Sequence, residues 1–338
     1  VLEAVASFAA ANLGPALAGG RRPRGDHQVP IGANVEQVLD ESSRWQQDVG
    51  FIVMFRFDYD STGYGRSATA EPEPPEQVAL RGADKPILWW WSFLFLVSAG
   101  NLVLWVVIAR EVHGFADSYV AQQLLLSGIF AAACAFRSIV PRVDLERQCL
   151  WNSPLSSIFV GRSVATVAEL CFAGQCALLI SKLSALTGSA SLQVVGWSIV
   201  PLILLAQLCC WYAVISLNHL GHAIEEILWS VLAFVVALSL GLTLGQMPAG
   251  IRILSWVGIV ACAGAALLML AVDVPMYLAR WRHARSGGVR YLSLMEGLGD
   301  ALQRRRVAHR WSEWRPEVPW MSLYFSVGVW LSLCFVFV

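Results

Sequence analysis

Seven runs of about twenty apolar residues follow residue 86, each long enough to carry a helix across a hydrocarbon core about 30 Å thick. They are Ile87–Ala109, Tyr119–Ile139, Ile158–Ser181, Gln193–Ser216, Ala223–Leu244, Ile253–Leu278 and Met321–Val338. A lone strand cannot satisfy its backbone in lipid, so each run reads as a helix. Composition agrees: 57% of the 338 residues are hydrophobic and 14% charged, whereas a soluble domain carries about 25% charge. The expected fold class is an all-α integral membrane protein with about seven transmembrane helices, a small polar N-terminal region and an amphipathic helix on the inner surface.

The chain divides accordingly. Residues 1–86 form an N-terminal extramembrane region and linker, 87–278 a six-helix transmembrane bundle, 279–320 a basic interfacial segment, and 321–338 the seventh span. The first region holds the basic patch Arg21, Arg22 and Arg24, a predicted helix over Asn34–Gln47 and a β-prone run over Phe51–Phe57. It closes on the Pro- and Glu-rich stretch Glu71–Glu76, read as a linker because proline blocks both helix and ladder. The chain opens on Val1 and closes inside an apolar run at Val338, so further residues are expected at either end.

Arginine placement sets the expected orientation. Arg137, Arg142 and Arg147 follow the second run, and a dense series from Arg280 to Arg315 follows the sixth. With seven spans both loops share a side with the N-terminal region. By the positive-inside rule that side is the cytoplasm, or the matrix or stroma of an organelle. Within Val289–Trp314, Leu292, Met295, Leu298 and Leu302 recur at helical spacing. This predicts an interfacial helix that turns Arg304, Arg305, Arg306 and Arg310 toward anionic lipid headgroups. Trp311, Trp314 and Trp320, and the Trp89–Trp91 run, fit aromatic belts at the interface. Zero formal net charge argues against a nucleic-acid partner, since counterion release needs a basic surface. The eight cysteines show no CxxC pairing and mostly sit in apolar runs, where cysteine acts as a small hydrophobe.

Few residues in the spans can carry chemistry. Glu169 lies about eleven residues into the third run, roughly 16 Å deep at 1.5 Å per residue. An ionisable group there is a functional candidate by default, and otherwise a carboxyl that locks helix packing. Arg162, Thr166, Glu169 and Cys176 form one polar stripe, with Arg162 about 10 Å from Glu169 along the axis and so expected to need water to reach it. Between the fourth and fifth runs, His219, His222, Glu225 and Glu226 offer half a divalent-metal site, imidazole and carboxylate on one helical face. The alternative there is a tight hairpin capped by Asn218, with the glutamates complementing the helix dipole. Asp273 and Arg137 fall on the same predicted side, so these groups can converge on an inward-facing polar cavity. Arg137 and Asp273 are expected instead to reach the headgroup layer.

In the N-terminal region, Asp58, Asp60, Thr62 and Gly63 fall at the first, third, fifth and sixth positions of a stretch similar to an EF-hand calcium loop. Its twelfth position is Thr69, not glutamate. The same stretch, through Gly63, Gly65 and Ser67, resembles the strand and turn that precede the nucleophile in α/β-hydrolases. Gly161-Arg162-Ser163 sits in an apolar span and lacks the closing glycine of a nucleophile elbow. A hairpin turn is the expected conformation.

Three functions are consistent with these features. The leading one is a non-catalytic accessory or scaffold subunit of a larger membrane assembly, in contact with lipids and other membrane subunits. The second is a proton-coupled transporter or channel built on Glu169, Arg162, Asp273 and Arg137. The third is a membrane enzyme acting on a lipid or quinone with a divalent metal at His222 and Glu226.

Overall fold

The computed structural model describes residues 83–112, 117–247 and 249–338. The expected helix over Asn34–Gln47, the Phe51–Phe57 strand, the Asp58–Thr69 loop and the arginines at 21, 22 and 24 lie outside the described residues.

Seven helices long and apolar enough to cross a membrane are present. The first five are α1 (Lys85–Glu111), α2 (Ser118–Ile139), α3 (Ile158–Thr187), α4 (Ala190–Ser216) and α5 (His219–Thr243). The sixth span, Ile251–Ser286, joins α6 (Ala249–Leu268) and α7 (Val274–Ser286) through the π-helical turn Met269–Asp273. A short helix, α8 (Leu294–Gln303), and one turn, α9 (Trp311–Trp314), precede the last span. That span comprises α10 (Val318–Leu323), a second π turn (Tyr324–Gly328) and α11 (Val329–Cys334).

Local chemistry sets the helix ends. Asp117, Ser157, Ser189 and Asn218 each accept a backbone N–H of the following first turn, as side-chain caps do. Asn218 Oδ1 takes the N–H of Leu220 at 3.0 Å, the cap expected from the sequence. Two helices outrun their apolar stretches. α3 continues past Ser181 until Gly188, at φ 67°, ends it, and α7 continues past Leu278 to Gly287 and Gly288. Residues 279–286, expected in the interfacial segment, are therefore part of the sixth helix: lipid contact ends where apolarity does, but the helix runs until a residue stops it.

α3 is the central helix. One face packs in a core with Trp90, Leu94, Phe130, Phe325, Val329 and Leu333, from α1, α2 and the last span. The opposite face packs Leu179, Ile180 and Leu183 with Ile199, Ile203, Leu232 and Val236, from α4 and α5. The sixth span leans mainly on α5. Only 6% of its most apolar window is covered by the rest of the chain, against 50% for α3, so nearly all of that surface is left to lipid or a partner.

The arginine-rich end is folded. β1 (Arg142–Val143) pairs antiparallel with β2 (Gln148–Cys149), and β2 pairs parallel with β3 (Arg306–Val307). Arg147, wholly buried, staples this end: its guanidinium donates to Asp300 Oδ2 at 2.6 Å, to the Asp144 carbonyl at 2.8 Å and to the Val214 carbonyl at 2.9 Å. The single interfacial helix expected over Val289–Trp314 is instead broken by β3. α8 seats its Gly297 and Ala301 face on the end of α4, where any Cβ at Gly297 would run into the Ile215 carbonyl. Its Leu294, Met295 and Leu302 are left exposed.

Candidate functional site

The polar stripe of α3 zips onto α4. Arg162, Thr166 and Glu169 share one helical face, and Gln207, Cys210 and Trp211 answer at i, i+3 and i+4 on the other. Trp211 donates its indole N–H to Thr166 Oγ1 at 3.0 Å. Arg162 donates to Glu169 Oε2 at 2.7 Å and to Gln207 Oε1 at 2.8 Å, and the Gln207 amide donates back to the same Glu169 oxygen. All three side chains are buried. The expectation that Arg162 and Glu169 need intervening water is thus corrected: two turns separate their backbones, and the two long side chains span the gap directly.

A second cluster lies beside the first. His222 Nδ1 meets Glu225 Oε2 at 2.7 Å, an i,i+3 pair on α5, and Cys210 Sγ lies 3.9 Å from the same nitrogen. The three donor atoms lie within 4.8 Å of one another, and all three residues are buried. Close helix packing creates this approach: a Cβ at Gly221 would sit 2.5 Å from the Cys209 carbonyl, so glycine there lets α5 close on α4. Tyr277 of α7 stacks on His222 at 5.1 Å between ring centroids and on His219 at 6.3 Å. Of the four residues expected around a metal, His222 and Glu225 are brought together. His219 and Glu226 are not part of any metal-ligand geometry among the described residues. Cys210 completes the triad in their place. Glu226 remains within electrostatic range of Glu225, Asp273, Glu169 and Arg162. Asp273 stands at the end of the π turn in the sixth span.

Arg137 does not reach outward to headgroups. It is 6% exposed, and its guanidinium carbon lies 5.7–5.8 Å from the ring centroids of Trp320, Tyr324 and Phe325 in the last span. Aromatic faces and the ends of two helices bury the charge, where sequence showed only an arginine at a helix end. Arg137 Nη1, Arg162 Nε and the Tyr324 hydroxyl are buried without a protein hydrogen-bond partner. Arg142 is also buried; its Nη1 donates to the Leu155 and Ser157 carbonyls at 3.1 and 2.8 Å. Burial lowers its pKa to about 10, with Asp144 opposing the shift and Arg137 adding to it.

The four arginines expected to face anionic lipid have protein contacts in three cases. Arg304 contacts Asp300 at 3.4 Å, Arg305 donates to Asn152 at 2.9 Å, and Arg306 bridges Gln148 and Glu313 from within β3. Arg310 is exposed. Sequence reasoning missed a further buried cluster nearer the opposite end. There Gln175 donates to the Ser332 carbonyl at 2.9 Å, Gln123 donates to the Gln175 carbonyl at 3.0 Å, and the Ser332 hydroxyl donates to Gln175 Oε1. Glutamines inside apolar runs were the available signal.

Fold and site together describe a multi-pass α-helical membrane protein with ionisable groups buried between its spans. No protein-family model, curated protein or solved structure matches the chain.

Proposed function

We propose that this chain is a proton-coupled membrane transporter or channel in which Glu169 is the carrying group. The observation that carries this is the depth order of its polar groups. Counted from the arginine-rich helix ends at 1.5 Å per residue, His222 lies about 5 Å in, Arg162 about 6 Å, Glu225 and Cys210 about 9 Å, Gln207 about 14 Å and Glu169 about 16 Å. That sequence is a half-membrane ladder in which no group is far from the next, on α3, α4 and α5. Two features support its being a working path. Buried donors without a protein partner at Arg162, Arg137 and Tyr324 call for water, which conducts protons. The π turns in the sixth and last spans put Asp273 and Tyr324 next to the cluster, and π bulges recur at functional sites.

The test is proton flux in proteoliposomes with an internal pH-sensitive dye. Wild-type protein is expected to dissipate an imposed gradient faster than empty vesicles, and Glu169→Gln to return the rate to the empty-vesicle level. Undiminished flux in Glu169→Gln rejects the carrier role. A second reading, an accessory or scaffold subunit of a membrane assembly, is favoured by the uncovered sixth span, where Ile253, Trp256 and Val260 are 71, 56 and 68% exposed. It predicts that gentle extraction brings down stoichiometric partner subunits and that Glu169→Gln leaves them bound.

A further inference from the structure

We infer that Cys210, His222 and Glu225 form a three-ligand site for a divalent transition metal of the zinc type. This assignment stands apart from proton flux and does not depend on it.

The donor set selects the ion. One thiolate, one imidazole and one carboxylate suit zinc and its neighbours; magnesium and calcium take oxygen alone. Geometry agrees within small movements. Bonds of about 2.0–2.3 Å in a tetrahedron separate ligand atoms by about 3.4–3.6 Å. Cys210 Sγ and His222 Nδ1 are 3.9 Å apart, and Nδ1 and Glu225 Oε2 are 2.7 Å apart. Closing the first by a few tenths of an ångström and opening the second by less than one, through side-chain torsions alone, gives the coordination shell. The three ligands come from two helices held close at Gly221, so the backbone is already in place. The Tyr277 ring, stacked on His222, fixes the imidazole plane.

Charge is the stronger reason. A divalent ion with one thiolate, one carboxylate and a neutral imidazole is electrically neutral, the only cheap state in an apolar interior. The ion displaces the thiol proton of Cys210 and the proton that lies between His222 Nδ1 and Glu225 Oε2. Two positive charges leave as two arrive. Arg162, the nearest cation, is within electrostatic range of Cys210 but is itself paired with Glu169, so it leaves no uncompensated charge facing the metal. Three protein ligands leave the fourth tetrahedral position for water or another small ligand.

The experiment uses the full chain, purified in detergent, stripped with chelator and titrated with Co2+ alone. The expected result is one Co2+ per chain, with a thiolate-to-cobalt charge-transfer band and intense tetrahedral d–d bands, both erased by one equivalent of Zn2+. Cys210→Ser should lose the charge-transfer band, Glu225→Gln and His222→Ala should lose stoichiometric binding, and Cys209→Ser, on the adjacent residue, should keep the full spectrum. Helical circular dichroism and elution volume establish that each variant is folded. Because Cys210→Ser is nearly isosteric, it keeps the test open even if His222→Ala fails to fold. Wild-type protein without the charge-transfer band, or a folded Cys210→Ser that retains it, overturns the assignment.

Discussion

The Arg162–Glu169 pair gives the sharpest prediction about what holds this bundle together. The guanidinium and carboxylate meet at 2.7 Å with side chains 6 and 10% exposed. Two charges about 4 Å apart at an effective dielectric near 20 attract by about 4 kcal/mol. Removing one partner strands the other charge, at a cost of about 3–5 kcal/mol in buried pairs. Removing both eliminates the stranded charge and leaves mainly lost packing and the orphaned Gln207 amide. Arg162→Met and Glu169→Leu are each expected to cost about 3 kcal/mol, and the double variant about the same as either one, where additivity would give about 6. The coupling energy is then about 3 kcal/mol, roughly two decades in the unfolding equilibrium. Reversible unfolding in mixed micelles with rising SDS fraction, followed by tryptophan emission, measures all four corners of the cycle. Single-variant costs that add to within about 0.5 kcal/mol would show that the two groups do not depend on each other, and the buried-pair account would fall.

The remaining predictions concern the arginine-rich end. Burial, with Glu146 adding, raises the Glu317 carboxyl from its ordinary value to about 7, while Trp320 and Arg280 oppose the shift. The folded state therefore holds this proton more tightly than the unfolded one, so its stabilisation is complete below about pH 4.5 and is lost as pH rises toward 7. Melting temperature should fall between pH 5 and 8 in wild-type protein and change less in Glu317→Gln; equal slopes would refute this. Trp314 is fully buried, stacks on Trp90 at 5.7 Å and donates to the Ala308 carbonyl at 2.9 Å, so Trp314→Ala should cost about 3–5 kcal/mol in the same unfolding assay. Gly297→Ala forces α8 off the Ile215 carbonyl, at about 1–3 kcal/mol, and should raise amide exchange across Leu294–Gln303 while leaving α3 protected.

The spans were legible because their signal is long and redundant: some twenty residues must all be apolar, and one polar substitution does not hide the pattern. Their ends were less legible, since Lys182 to Thr187 and Arg280 to Ser286 are helical by propensity and cap placement, not by hydropathy. Glu169 announced itself as the ionisable group deepest in an apolar run. Its partners did not. Gln207 and Cys210 cost little in such a run and gain meaning only when α3 and α4 are known to be neighbours, which no local pattern states. Arg137, Arg142 and Arg147 were counted as charges marking a membrane side, yet all three are buried. Their count supported the topology; their number in a loop said nothing of whether the guanidinium points to solvent, to a carbonyl or onto a ring. The interfacial helix was misjudged for a related reason. Leucine spacing alone carried it through Trp314, while the strand at Arg306–Val307 depends on pairing with Gln148 and Cys149, some 158 residues earlier.

Gln207 is the residue that makes the central cluster more than a salt bridge. Its carbonyl oxygen accepts from Arg162 while its amide donates to Glu169, so one side chain holds both charges at once. If Glu169 takes up a proton, Arg162 loses its counter-charge but keeps the Gln207 oxygen, and its next carboxylate within electrostatic range is Glu225. Protonation in the middle of the bundle is thereby felt at the Cys210, His222 and Glu225 group without any helix having to move. The two clusters are separate sets of hydrogen bonds but one electrostatic unit, and Arg162 is the charge they share.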